Sequence, residues 1–186
     1  IYYQLVTFFG GAPYVTYNDY YTMEPMPRTS PDDIFNNLIE QLKVDMGNME
    51  EKVTGFVNNS EKMYSLSKDI ARVLLADIYM YQGKYMEAKP LLEEIVNSNR
   101  YSLVNAIDNL DPTCSEIIWS QAINSPTRAR ANDNVSISYN NDLCIYQTYG
   151  DVLLSLAECE TMLNNDAKAK EYLNQVATTK GIETTS

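Results

Sequence analysis

Residues 75–95 and 156–176 align on each other without a gap, and the matches fall at positions where packed helices touch. Leu75 meets Leu156, Ala76 meets Ala157, Ala88 meets Ala169, Lys89 meets Lys170 and Leu92 meets Leu173, while Asp77 and Ile95 meet the similar Glu158 and Val176. Each copy reads as a helix, a two-residue turn (Gly83-Lys84 or Asn164-Asn165) and a second helix, with a small alanine where the helices approach. Such a hairpin cannot bury its apolar face alone and needs a neighbour stacked on it. The repeat therefore predicts an all-α chain: helical hairpins over about 67–97 and 149–178 packed as an array, with irregular loops and a minor strand element.

Further helix signals extend that array. Ser30 can accept from a free backbone N–H, Pro31 loses nothing at the first helical position, and Asp32 and Asp33 meet the positive end of the dipole. Ile34, Phe35, Leu38, Ile39, Leu42, Met46 and Met49 then form an apolar stripe to about Glu51. A helix begins after Ser67, runs to Gln82 and is capped by Gly83; its sequence, KDIARVLLADIYMYQ, is apolar on nearly every face and predicts packing on several sides. The next, from about Tyr85 to Asn97, carries Ala88, Leu91, Leu92 and Ile95 on one side, and Pro90 should bend it. The opening IYYQLVTFF reads as a short helical or apolar segment stopped by Gly10-Gly11 and Pro13. Loops are expected over 10–29 and 124–148, and SEIIWS at 115–120 reads as strand-like, with Ile117 and Trp119 on one face and Ile118 on the other. A chain of 186 residues that is 45% hydrophobic and 21% charged is expected to fold as one domain, 1–186.

Composition narrows the chemistry. The chain has no histidine, which removes Ser-His-Asp and Cys-His mechanisms and zinc sites built on imidazole. A net charge of -11 repels phosphate backbones, so no nucleic-acid partner is expected. Cys114, Cys144 and Cys159 are odd in number and widely spaced, forming neither a CxxC pattern nor a disulfide framework, and read as small buried hydrophobes. No transmembrane run or signal peptide is visible, but the chain opens at Ile1 rather than Met, so an export signal or lipid-bearing cysteine upstream would not be seen. Neither a phosphate-cradling glycine loop nor a calcium loop occurs. The acidic pairs Asp32-Asp33, Glu50-Glu51 and Glu93-Glu94 are neighbours on helices, point apart, and read as solubilising or dipole-facing groups rather than a glycosidase pair. No catalytic residue, metal ligand or cofactor is therefore assigned.

The residues that invite a ligand are aromatic. The chain has 15 tyrosines, and YVTYNDYYTMEPMPRT at 14–29 follows neither a helical nor a strand period. In it Tyr14, Tyr17, Tyr20 and Tyr21 can stack on a sugar ring while Asn18 and Asp19 bond its hydroxyls; the same rings can equally cover the edge of a helical core. Trp119 reads as a buried anchor. Arg128, Arg130, Asp133, Tyr139 and Tyr146 stand in a stretch that can meet an acidic sugar or simply bridge the strand to the last hairpin.

LLADIYMYQGKYMEA resembles a tetratricopeptide hairpin, with Leu75, Ala76, Tyr79, Gly83, Tyr85, Ala88 and Leu92 at that family's large, small, aromatic, turn, aromatic, small and large positions. Taken in order, FFGGAPYV (8–15), MPRTSPDDIFNNLIEQLKVDM (26–46), SKDIARVLLADIYMYQGKYMEAKPLLEEIVNSNRYSL (67–103), SEIIWS (115–120) and YGDVLLSLAECETMLNNDAKAKEYLNQVATTKG (149–181) resemble successive blocks of the SusD/RagB family. That resemblance implies a non-enzymatic, lipid-anchored protein of the outer-membrane surface that binds an oligosaccharide and partners a SusC-like TonB-dependent transporter. The stretch between Trp119 and Tyr149 is shorter than the family's usual insertion there, which keeps open an alternative: a tetratricopeptide-like interaction scaffold without the sugar site.

Overall fold

The computed structural model describes residues 1–15, 26–52, 66–107, 114–123 and 142–182. Among them run α1 (Tyr2–Phe9), α2 (Pro31–Met46), α3 (Lys68–Tyr81), α4 (Tyr85–Asn97), β1 (Ile117–Ile123), β2 (Asp142–Thr148), α5 (Tyr149–Met162) and α6 (Asp166–Thr179). The fold is a tetratricopeptide-like helical array with one small sheet, as the repeat predicts.

Each helix starts where its capping chemistry lies. Ser30 Oγ accepts from the Asp33 N–H at 3.2 Å and Pro31 is the first residue of α2. Ser67 does the same for Ile70 at the start of α3. At α5, Thr148 accepts from the Asp151 N–H at 3.1 Å while the Asp151 carboxylate accepts from the Thr148 N–H at 2.8 Å, a reciprocal capping box. The hairpin turns repeat as faithfully. Gly83 has φ 72° and Asn164 has φ 62° at matched positions, so asparagine takes the left-handed turn that glycine takes in the first copy. The Lys84 N–H donates to the Tyr79 carbonyl and the Asn165 N–H to the Glu160 carbonyl, both at 2.8 Å.

Packing divides the apolar residues into two cores. Ile70, Val73 and Ala76 of α3, Ala88, Leu92 and Ile95 of α4, Leu153 and Leu156 of α5 and Ala169 of α6 belong to the larger one, with Tyr101 and Ile118 beside them. Val6 of α1 and Ile34, Phe35 and Ile39 of α2 meet the other side of α3, at Leu75 and Ile78, in the second. Thus α3 is packed on several sides, which its nearly continuous apolar sequence requires.

Several expectations are corrected. The apolar stripe of α2 does not carry the helix to Glu51: it ends at Met46 with Gly47 as cap, and the carbonyls of Glu50 and Glu51 accept from the Lys68 and Asp69 N–H groups. The last residues of the expected 124–148 loop form a strand, β2, antiparallel to β1. The strict alternation expected around Trp119 fails because the register shifts on both sides of it; Ile117 and Ile118 are both buried and Trp119 is half-buried. Pro90 stands inside α4 where the sequence places it, on an exposed face. Cys159 is buried as expected, but Cys114 is only half-buried.

The acidic neighbours do more than solubilise. Asp69, fully buried, accepts from Arg72 at 2.8 Å and from two Arg100 nitrogens at 2.8 and 2.7 Å, and Arg72 also pairs with Glu51 and Glu94. This knot joins the chain after α2 to α3, α4 and the segment after α4. Hydrogen bonds from Arg72 and then from Lys68, which reaches Glu51 at 2.9 Å, hold the Glu51 carboxyl down at about 2. Glu93 receives Lys168 of α6 at 3.2 Å, tying the two hairpins together.

Candidate functional site

The described residues flanking the tyrosine-rich segment on both sides form a stem. Gly10, at φ 72°, ends α1. A Cβ on Gly11 would stand 2.7 Å from the Thr29 carbonyl oxygen, so only glycine permits the approach by which the Thr29 N–H donates to the Ala12 carbonyl at 2.9 Å. The stem is locked again by Tyr2, whose hydroxyl accepts from the Val15 N–H at 2.8 Å and lies 3.2 Å from the Val15 carbonyl. FFGGAPYV is therefore a structural turn that ties Ala12 to Thr29 and Val15 to Tyr2, on either side of the tyrosine-rich segment in the chain.

Of the six proposed ligand residues, Tyr14 lies in that stem. Its ring is half-buried against the second core, 4.8 Å from the Tyr2 ring and tilted 47° to it. Tyr17, Asn18, Asp19, Tyr20 and Tyr21 lie outside the described residues, as do Arg128, Arg130, Asp133 and Tyr139. Tyr146 belongs to β2, where its ring sits 4.6 Å from that of Trp119 across the sheet. Trp119 packs its other side on the larger core, and Tyr146 remains 40% exposed, so the pair presents aromatic surface beside the ends of the sheet hairpin.

A third feature escaped the sequence reading. Asp77 of α3 faces groups of α1, β2 and α5. Gln147 of β2 donates to its Oδ2 at a long 3.5 Å, and Tyr3 of α1, Asp151 and Glu158 of α5 lie within electrostatic reach. Burial first, then repulsion from Asp151 and Glu158, pushes its carboxyl up to about 7. Burial and the Asp77 charge likewise push the Tyr3 phenol up to about 12. Near neutral pH the group is thus divided between acid and carboxylate, able to donate as well as accept. The only sequence signal was its match to Glu158 in the repeat, which located an acid without revealing its burial.

Glu116, 1% exposed, is a clamp rather than a site. It accepts from the Val104 N–H at 2.7 Å and from Lys180 at 2.8 Å, and a Cβ at position 150 would come within 3.0 Å of it, which is why α5 opens on Tyr149-Gly150.

Helical hairpins stacked by small residues at their crossings, with a two-stranded sheet carrying Trp119 and Tyr146 between them in the chain, define a helical-repeat protein. The tetratricopeptide-repeat family matches residues 151–179. No curated protein matches the chain. Among solved structures, a SusD superfamily protein from Bacteroides vulgatus matches 100% of the chain with a TM-score of 0.81 at 18% identity, over 57% of its own length. Surface glycan-binding protein A from Bacteroides uniformis matches 99% of the chain with a TM-score of 0.73 at 16% identity, over 57% of its own length. Surface glycan-binding protein A from Bacteroides thetaiotaomicron, in complex with laminarihexaose, matches 100% with a TM-score of 0.71 at 17% identity, over 60% of its own length. The chain thus has the fold of SusD superfamily proteins and spans rather more than half the length of these structures.

Proposed function

We propose that this chain is the helical part of a non-enzymatic surface protein that binds an oligosaccharide and serves a SusC/SusD-like glycan uptake system. The observation that carries the reading is the end-to-end likeness of the chain to proteins described as glycan-binding, one of them with laminarihexaose bound. The ligand platform proposed is the segment with Tyr14, Tyr17, Asn18, Asp19, Tyr20 and Tyr21. Its support is the stem: a close glycine contact, a backbone bridge and the Tyr2 hydroxyl hold both ends of the segment, as a positioned binding loop requires. In this reading the protein stands on the outer-membrane surface through a lipid anchor upstream, with a SusC-like TonB-dependent transporter as partner.

Calorimetry of the whole chain against laminarihexaose and a panel of plant, host and microbial oligosaccharides tests the proposal, with a Tyr17→Ala/Tyr20→Ala/Tyr21→Ala variant alongside. Binding by the native chain that is lost in the folded variant is the expected result. Binding unchanged in the variant moves the platform elsewhere, the Trp119–Tyr146 pair being the first alternative. If no sugar binds, the glycan reading fails and the interaction scaffold replaces it.

A further inference from the structure

The two hairpins correspond in their bounds, α3 with α5 in register and α4 with α6 except for one added residue at the end of α6, and the correspondence isolates one difference. On α4, the face bearing Lys89, Leu92 and Glu93 is covered by α5. Leu92 is fully buried in a core shared with Leu156 and Cys159, and Lys89 reaches Glu160 at 2.9 Å. On α6 the same positions are Lys170, Leu173 and Asn174, and all three are exposed, Leu173 by 45% where Leu92 is at 0%. Among the described residues no carboxylate pairs with Lys170. A groove of ≈ 830 Å³ borders this strip, lined by Leu103, Lys170, Asn174 and Thr178.

We propose that this face of α6 docks a partner helix with the chemistry of α5. The residues that α5 contributes to the α4 side state the requirement: apolar groups at Leu156 and Cys159 and a carboxylate at Glu160, spaced as one face of a helix. Charge complementarity chooses this occupant. Lys89 is answered by an acid, and Lys170, at the matched position, calls for one in the same place. A sugar would want an exposed ring, but the one tyrosine of α6, Tyr172, is buried. The proposal does not depend on glycan binding.

The test uses the whole chain and a lactam-stapled peptide of residues 149–162 under reducing conditions, read by amide chemical shifts. Shifts centred on Lys170, Leu173 and Asn174 are expected. Lys170→Glu, an exposed substitution whose fold is checked by circular dichroism, should weaken binding by roughly tenfold or more, and a peptide carrying Glu160→Lys should restore it against that variant. Binding indifferent to the charge exchange overturns the proposal, as does the absence of shifts at about 1 mM peptide. Shifts confined to α4, from displacement of the resident α5, also overturn it. Shifts at α6 that grow with protein concentration alone assign the face to a second copy and overturn it too.

Discussion

Asp77 shows how much one side chain changes when its neighbours are known. In the unfolded chain its carboxyl loses its proton near the usual 3.8, whereas in the folded chain it holds it to about 7. Between those values unfolding releases a proton, so its contribution makes stability fall as pH rises and reaches its full penalty above 7. Asp77→Asn keeps an acceptor for Gln147 and removes the charge that faces Asp151 and Glu158. The variant should match the native chain in urea unfolding at pH 4 or below and exceed it by about 1–3 kcal/mol at pH 8, the lower end reflecting the half-exposed carboxyl. A native advantage at pH 8 would show that the carboxylate is better solvated than its surroundings indicate. Gly11 argues from backbone rather than charge. With the Thr29 carbonyl 2.7 Å from the place of a Cβ, Gly11→Ala should lower stability by about 1–3 kcal/mol and loosen the stem, measured as a fall in midpoint and a loss of amide protection at Thr29.

Among elements, the internal repeat provides its own control. Leu92 and Leu173 are the same residue at the same place in two hairpins, one sealed beneath α5 and one facing out of α6. Leu92→Ala should cost about 2–5 kcal/mol, and Leu173→Ala about 0.5 kcal/mol or less in the isolated chain. Equal costs in chemical denaturation would mean that α6 is covered. The helices and their turns were legible because their signals are local: Ser30, Ser67 and Gly83 act within a few residues of the backbone they cap. Even the asparagine at 164, which breaks the glycine pattern, takes a conformation open to its residue type. The strand β2 was not legible, since its hydrogen bonds go to β1 across residues 124–141 and no short-range period announces them. Trp119 misled for a related reason: a register shift decides which face a side chain takes, and it depends on the partner strand. The candidate ligand segment was legible as composition, and its anchorage only as Gly10-Gly11 and Pro13. The contacts of Tyr2 with Val15, and of Asp77 with Gln147, join residues far apart in the chain and leave no mark in either neighbourhood.

For the whole molecule, the arrangement of the two cores matters more than their contents. They meet along α3, with Tyr79 and Leu91 at the seam, and the ion knot of Asp69, Arg72 and Arg100 reinforces the side of the larger core. The α1–α2 layer rests on α3 alone among the helices with which it makes extensive contact, whereas α4 and α5 are each held from two sides. Opening free energies should therefore be graded. In native-state hydrogen exchange, the slowest amides of α1 and α2 should exchange through a partial opening at least about 1 kcal/mol below global unfolding, while α3, α4 and α5 exchange together at the global limit. A single shared exchange free energy for all six helices would contradict this. Such a ladder has a consequence for evolution. Substitutions in α1 and α2 load their strain on a layer that can open and reclose, so that layer can drift in sequence while the repeat array persists as an undisturbed unit of inheritance.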